Sequence, residues 1–220
     1  MPVSQVQDLL DQSSELNWPW EWLVLHGGEP TLHPQFEEIC IALHEYQLKS
    51  NPTVRLFVCT NGFSKIVAER MEIAAKHNVA PENSRKDGKP LVSSHVPFSV
   101  SALDTGEDYM LGCYQSSMCG IAYNNHGFYE CSPAAAGNRL FGYEPLAIRL
   151  KDVTAELLAT GFHKHCANCG FARVQHPEKL DEYRTGGPKH SMLDAAPDEP
   201  MSPIWTEAVR QYKEKKLAAR

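Results

Sequence analysis

Apolar residues recur at helical spacing from the start of the chain, where Val3, Val6, Leu9, Leu10 and Leu16 share a face over residues 3 to 16. A short apolar run at about 21 to 26 reads as a strand. Pro34 behind it suits the first position of a helix that carries Phe36, Ile39, Cys40 and Leu43 on one side. "TVRLFVCT" (53 to 60) is rich in strand formers, and Asn61-Gly62 ends it. Ser64 is placed to cap a helix presenting Val67, Met71 and Ala74. Residues 80 to 90 read as a polar loop, and "VPFSVSALD" (96 to 104) as a third strand. Strands alternating with helices predict right-handed βαβ units on a parallel sheet, an α/β fold.

That rhythm stops near residue 105. Between 106 and 175 lie glycines, aromatics and cysteines with little periodicity beyond a short helix near 152 to 159. Such a segment points to a small domain organised around a metal. Residues 176 to 201 read as linker, and Ser202 and Pro203 start a last helix with Ile204, Trp205, Ala208 and Tyr212 on one side. The expected organisation is therefore an α/β core over 1–105, a Cys-rich domain over 106–175, and a linker with a terminal helix over 176–220.

Composition narrows the function classes. With 42% apolar and 22% charged residues the chain is of ordinary globular type, and its net charge of −6 disfavours nucleic acid as a partner. No apolar run approaches the roughly 20 residues of a membrane span. "MPVSQVQDLL" lacks the basic and apolar regions of a signal peptide, so the expected location is cytoplasmic, with no membrane partner. Seven cysteines, an odd number, favour metal binding or thiols over disulfides in that compartment. Cys40, on a helix face, and Cys59, in a strand, read as small buried hydrophobes. Cys113, Cys119, Cys131, Cys166 and Cys169 need another explanation.

Two stretches carry candidate chemistry. In "LVLHGGEPTLHPQF" (23 to 36), Gly27 and Gly28 stand at the carboxyl end of a strand, where ligands of parallel sheets bind and where a bare backbone admits one closely. Glu29 can accept hydrogen bonds from an ammonium group; a tight turn with an acid at a helix start explains the same residues. In the second stretch, Cys166-x2-Cys169 forms a chelating knuckle, and 17 residues separate Cys113 from Cys131. "NNHGFYEC" reads as a β-turn leading back to Cys131. Two thiolate pairs suit Zn²⁺ and an iron–sulfur cluster equally. His163 and His165, beside the knuckle, read as surface or packing residues.

"HGGEPTLHPQFEEI" resembles the GGEP segment of radical S-adenosylmethionine (radical SAM) enzymes. "FVCTNG" and "FSVSALD" resemble that family's third and fourth strand ends, in the same order along residues 20 to 104. The resemblance implies a partial (β/α) barrel lacking its first strand. It also implies S-adenosylmethionine contacts at Gly27, Gly28, Glu29 and Pro30, with Thr60, Asn61, Ser101 and Asp104 as further contacts. The late cysteines resemble the auxiliary-cluster domains, SPASM or the smaller Twitch, that follow many such barrels. This implies one 4Fe–4S cluster on Cys113, Cys131, Cys166 and Cys169, with Cys119 able to replace Cys113 and zinc as the alternative metal. Arg139 would then place positive charge near an anionic cluster, and it reads equally as a surface arginine.

In the family, a cluster on Cys-x3-Cys-x2-Cys upstream of the GGEP segment reduces the cofactor to a 5′-deoxyadenosyl radical that abstracts hydrogen from substrate. Only 26 residues precede Gly27 here and none is cysteine, and the motif occurs nowhere else. The preferred expectation is an N-terminally truncated form of such an enzyme, inactive by itself. Its substrate, a small molecule or a peptide, is unspecified, and its reducing partner is a ferredoxin or flavodoxin. A sheet beginning at its second strand would expose an edge that native proteins avoid. The alternative is a complete non-catalytic module holding one 4Fe–4S cluster, for electron transfer or as a scaffold, or a structural zinc. No catalytic residue is assigned.

Overall fold

Helix α1 (Val3–Glu15) buries Val6 and Leu10, and its first backbone N–H after Pro2 donates to the Gln35 side chain (3.2 Å). In order follow β1 (Trp22–Leu25), a 3₁₀ turn (Pro30–Leu32), α2 (Phe36–Lys49), β2 (Arg55–Thr60), α3 (Lys65–Lys76) and β3 (Val79–Asn83). These belong to the first of two units in a computed structural model, Met1–Leu91 and Val92–Arg220. The structure describes residues 1–60, 62, 64–83, 85, 86, 89, 90, 120–169 and 202–218.

The first unit is built on a parallel sheet in the order β1-β2-β3, with Leu25 opposite Val58 and Thr60 opposite Asn83. Parallel neighbours need crossovers, and α2 and α3 supply them. Side chains alternate along β2, so Leu56, Val58 and Thr60 are buried and Arg55 is exposed. Leu56 and Val58 pack with Leu10 of α1, with Phe36, Ile39, Cys40 and Leu43 of α2, and with Ala74 and Val79. Buried Gln47 is satisfied in both directions. Its amide donates to the Val54 carbonyl (2.6 Å) and accepts from Asn78 (2.8 Å), tying α2 to the entries of β2 and β3.

Several boundaries differ from the sequence reading. The supposed loop at 80 to 90 begins as β3, because backbone pairing to β2 outweighs its polar composition; Pro81 is tolerated in a strand paired on one side among the described residues. Arg85–Lys86 and Lys89–Pro90 form a minimal antiparallel pair, β4 and β5. The strand expected at 96 to 104 lies outside the described residues, and the position beside β2 belongs to Val79–Asn83. Helix α2 starts at Phe36, after Pro30–Leu32 has formed its own turn and His33 Nδ1 has accepted from the Gln35 N–H (3.1 Å). Ser64 caps α3 as expected, its Oγ accepting from the Val67 N–H (3.4 Å).

In the second unit, β6 (Ala122–Asn124) and β7 (Gly127–Tyr129) form a hairpin around the β-turn expected in "NNHGFYEC". Asn124 Oδ1 accepts from the His126 N–H (2.8 Å) to shape the turn. Gly127, with φ of 138°, has to be glycine, since a Cβ there would strike the Ala147 carbonyl oxygen and the Pro145 ring. That closeness lets Phe128 exchange backbone hydrogen bonds with Ala147 and Leu146, both 2.8 Å. Among the described residues, helices α4 (Ser132–Phe141), α5 (Ala155–His165) and α6 (Pro203–Ala218) follow, with 3₁₀ turns at Leu150–Asp152 and Cys166–Asn168. Helix α4 was not anticipated, although Pro133 at its start and Gly142 (φ 66°) after its end are the usual bounding residues. Helix α5 runs six residues beyond the expected end at 159 and delivers the chain directly to Cys166.

The class is mixed α/β with small sheets, and no barrel is formed among the described residues. No described helix is long and apolar enough to cross a membrane.

Cys40 matches its expected role in the core. It is fully buried, and burial, with a smaller push from Glu37 against the pull of Arg70, raises its thiol to about 12. A thiol raised on folding ionises first in the unfolded chain, so its contribution to stability is lost as pH rises from the ordinary thiol value towards about 12. Iodoacetamide at pH 8 is therefore expected to leave Cys40 unmodified in the folded protein and to alkylate it in urea, as read by peptide mass spectrometry.

Candidate functional site

The first candidate site follows from the alternation along β2. Burying Leu56 and Val58 turns Thr60 inward, where it is 3% exposed, and a hydroxyl so placed needs a partner. Thr60 Oγ1 donates to Glu29 Oε1 (3.0 Å) and accepts from the Gly62 N–H (3.1 Å). The same Glu29 oxygen accepts from Thr31 Oγ1 (2.6 Å) and from the Thr31 N–H (3.3 Å). Hydrogen bonds to a charged group contribute about 1.5–3 kcal/mol each. The carboxylate is thereby fixed beyond the carboxyl ends of β1 and β2, with Pro30 opening the 3₁₀ turn behind it.

Gly27 and Gly28 are exposed, and a Cβ on either would meet nothing within 4 Å. Packing among the described residues therefore does not require glycine at these positions. The structure thus brings Glu29 and Thr60 into direct contact and sets the glycine pair beside them in sequence. Asn61, Ser101 and Asp104 lie outside the described residues. Cys59 differs from its expected burial: it is half-buried, and its thiol reaches Glu82 Oε2 across the β2–β3 pairing (3.5 Å).

The second candidate site lies around the late cysteines. Cys131 is buried where β7 gives way to α4, Cys166 is buried where α5 ends, and Cys169 is half-buried after the 3₁₀ turn. The Cys169 N–H donates to the Cys166 carbonyl (3.0 Å), closing the knuckle. Cys113 and Cys119 lie outside the described residues. Among the described residues no three His, Cys, Asp or Glu side chains stand close enough to hold a metal ion by themselves. The donors are nonetheless of the right chemistry, since buried thiols suit zinc or iron.

Beside the knuckle is an arrangement that the sequence did not disclose. His165 is buried with a carboxylate: its Nδ1 lies 2.8 Å from both oxygens of Glu130, the two side chains being 2% and 1% exposed. Gly161 makes this possible. It stands one helical turn before His165 on the same face of α5, and a Cβ there would come within 2.7 Å of Glu130 Oε2. Among the described residues, Nε2 of His165 is enclosed without a hydrogen-bond partner.

Aromatic rings wall the pair. The Tyr143 and Tyr129 rings lie 4.4 and 6.0 Å from His165, centroid to centroid. Burial drives the Tyr143 hydroxyl well above its ordinary range; the Asn168 hydrogen bond (2.6 Å) opposes this, while Cys169, Cys166 and Glu130 reinforce it. Tyr143 therefore shares one electrostatic neighbourhood with both knuckle cysteines and Glu130. Trp205 of α6 donates from Nε1 to the Asn168 carbonyl (2.5 Å) and meets Phe141 edge-on (4.8 Å), pinning the knuckle turn. Arg139 is exposed on α4.

His165 was expected as a surface or packing residue, and Glu130 was not singled out at all. Only adjacency hinted at them, since each directly precedes a cysteine in "YEC" and "HCANC". Compared with known proteins, the chain matches no family model, no curated sequence and no solved structure.

Alanine improves an exposed helix interior over glycine by about 1 kcal/mol. At Gly161 the opposite sign is expected, because the new methyl displaces a buried carboxylate from its partner. Urea unfolding of Gly161→Ala should show a net loss of about 1–3 kcal/mol; a stabilised variant would remove Glu130 from this account.

Proposed function

We propose that this chain is an iron–sulfur protein of the radical SAM type, its first unit a portion of a (β/α) barrel and its second an auxiliary-cluster domain. The observation that carries the reading is the hydrogen bond from Thr60 to Glu29. Two residues chosen from separate motifs meet at the carboxyl ends of adjacent parallel strands, where such sheets bind ligands. In this reading Glu29, held by Thr31 and Thr60, accepts the ammonium group of S-adenosylmethionine. Gly27 and Gly28 let the methionine part lie against the main chain.

Cys131, Cys166 and Cys169, with Cys113 or Cys119, hold one 4Fe–4S cluster in the second unit. When bound, cofactor and cluster supply one-electron chemistry; this chain's residues bind, orient and shield. No residue here is given a role in reducing the cofactor, because Cys-x3-Cys-x2-Cys is absent from these 220 residues. A cytoplasmic setting, a ferredoxin or flavodoxin as electron donor, and a small-molecule or peptide substrate belong to the same proposal.

The test is calorimetric titration of the anaerobically reconstituted chain with S-adenosylmethionine, alongside iron, sulfide and zinc analysis. Iron and sulfide in equal amounts are expected. Glu29→Gln should weaken cofactor binding about 10- to 100-fold, the worth of one charge-assisted hydrogen bond. Undiminished binding by Glu29→Gln would withdraw the cofactor assignment. A colourless protein with about one Zn²⁺ per chain would put a zinc-stabilised module in place of the cluster protein.

A further inference from the structure

We infer that the first unit carries a further binding cleft, at the amino ends of β1 and β2, and that its ligand is a neutral saccharide. The cleft lies at the opposite end of the sheet from Glu29 and Thr60, so the inference does not depend on the S-adenosylmethionine reading.

The cleft encloses about 590 Å³, within the roughly 300–1,000 Å³ of small-molecule sites. Its walls come from the last turns of α1 and α2 and from the chain entering each strand. Asn17, with φ of 48°, turns the chain in left-handed backbone just after α1. The Trp18 N–H then donates to the Ser13 carbonyl (2.9 Å). Trp20 is fixed at two points. Its Nε1 donates to the buried Ser13 hydroxyl (2.9 Å), and its carbonyl accepts from the Asn51 side chain (2.9 Å). Thr53 Oγ1 in turn donates to Asn51 Oδ1 (3.0 Å). These walls are formed without a ligand, which lowers the ordering cost of binding one.

The Trp18 and Trp20 rings stand 5.7 Å apart, centroid to centroid, tilted by 41°. Trp20 also packs against the apolar core of the unit, whereas Trp18 has no place in it. A half-buried indole beside an open cleft offers an apolar face and an N–H donor to whatever enters. Glu21 and Arg55 also line the cleft; both are exposed, and among the described residues they form no ion pair. Arg55 instead lies over the Trp22 ring at 5.2 Å.

The charges select the class of ligand. Helix carboxyl ends carry partial negative charge, and the last turns of α1 and α2 both line the cleft. α1 has no basic residue in its last turn, and Lys49 of α2 is paired with Glu45. With Glu21 beside these ends, a phosphate or another anion is repelled. Arg55 opposes a cation. A neutral ligand remains, with an apolar face for the indoles and groups that both donate and accept for Asn17, Glu21 and Arg55. A pyranose ring has both, with C–H bonds on its faces and hydroxyls around its edge.

The experiment uses the full chain labelled with ¹⁵N-tryptophan, whose four indoles report separately in ¹H–¹⁵N spectra. Maltotriose, cellotriose and diacetylchitobiose are titrated to about 10 mM, enough to detect millimolar binding. At least one should shift the Trp18 and Trp20 signals saturably and leave Trp205 in place. Trp18→Ala should weaken that binding about 10-fold, and Glu21→Ala about 2- to 10-fold. Both side chains lie outside the core, so both variants are expected to fold, and the wild-type spectrum decides without them. Unmoved Trp18 and Trp20 signals with all three sugars would overturn the proposal. So would undiminished binding by Trp18→Ala, which places the sugar elsewhere. Phosphate, tetramethylammonium or hexaproline shifting these two signals where the sugars do not would also overturn it, in favour of an anion, a cation or a peptide.

Discussion

Thr60 faces the core because Leu56 and Val58 do, and a hydroxyl facing the core must be paired. From that constraint the rest of the first site follows. The partner is Glu29, which reaches it because β1 runs parallel to β2 and ends opposite Val58, so that the chain leaving β1 passes Thr60. Once Glu29 is held, the backbone between it and β1 is short and direct, and Gly27 and Gly28 occupy it. A residue that looks like the last member of an apolar strand therefore sets the orientation of a carboxylate on the neighbouring loop. Core packing and site geometry are here consequences of one alternation.

The second unit meets a similar constraint with a different outcome. Glu130 comes directly after β7, and its carboxylate is as deeply buried as the tyrosine before it. A lone buried carboxylate is expensive, and breaking a buried pair by removing one partner costs about 3–5 kcal/mol. His165 supplies the partner, Gly161 supplies the room, and the Tyr143 and Tyr129 rings lie beside the imidazole. The first unit holds its carboxylate with hydroxyls near exposed backbone. The second holds its carboxylate with an imidazole beside aromatic rings.

The elements of the first unit were legible in the sequence where periodicity was strong: α1, β1, α2, β2 and α3 all follow their apolar patterns. β3 was not, because "VAPEN" has neither alternation nor β-branched enrichment beyond Val79, and its strand character comes from pairing with β2. In the second unit the turn at 124–127 was legible from Asn and Gly, while α4 was passed over because Pro133, Gly137 and Asn138 within "SPAAAGNRLF" are residues more usual in turns than in helix interiors. Glu29 and Thr60 could be chosen from motifs, since Thr60 ends β2 and Glu29 follows the glycine pair that comes after β1. Glu130 and His165 could not: their partnership spans 35 residues and depends on a glycine whose purpose is visible only in three dimensions.

The bond from Trp205 to the Asn168 carbonyl also bears on the order in which the protein is made. The two residues are 37 positions apart, so the turn bearing Cys166 emerges from the ribosome well before the indole that pins it. At ordinary elongation rates the interval is on the order of seconds. During it the knuckle thiols lack their anchor, and the terminal helix acts as a late-arriving clasp. A nascent or shortened chain ending before α6 presents the same cysteines on an unpinned turn. The turn bearing Cys166 is pinned only once Trp205 has been synthesised.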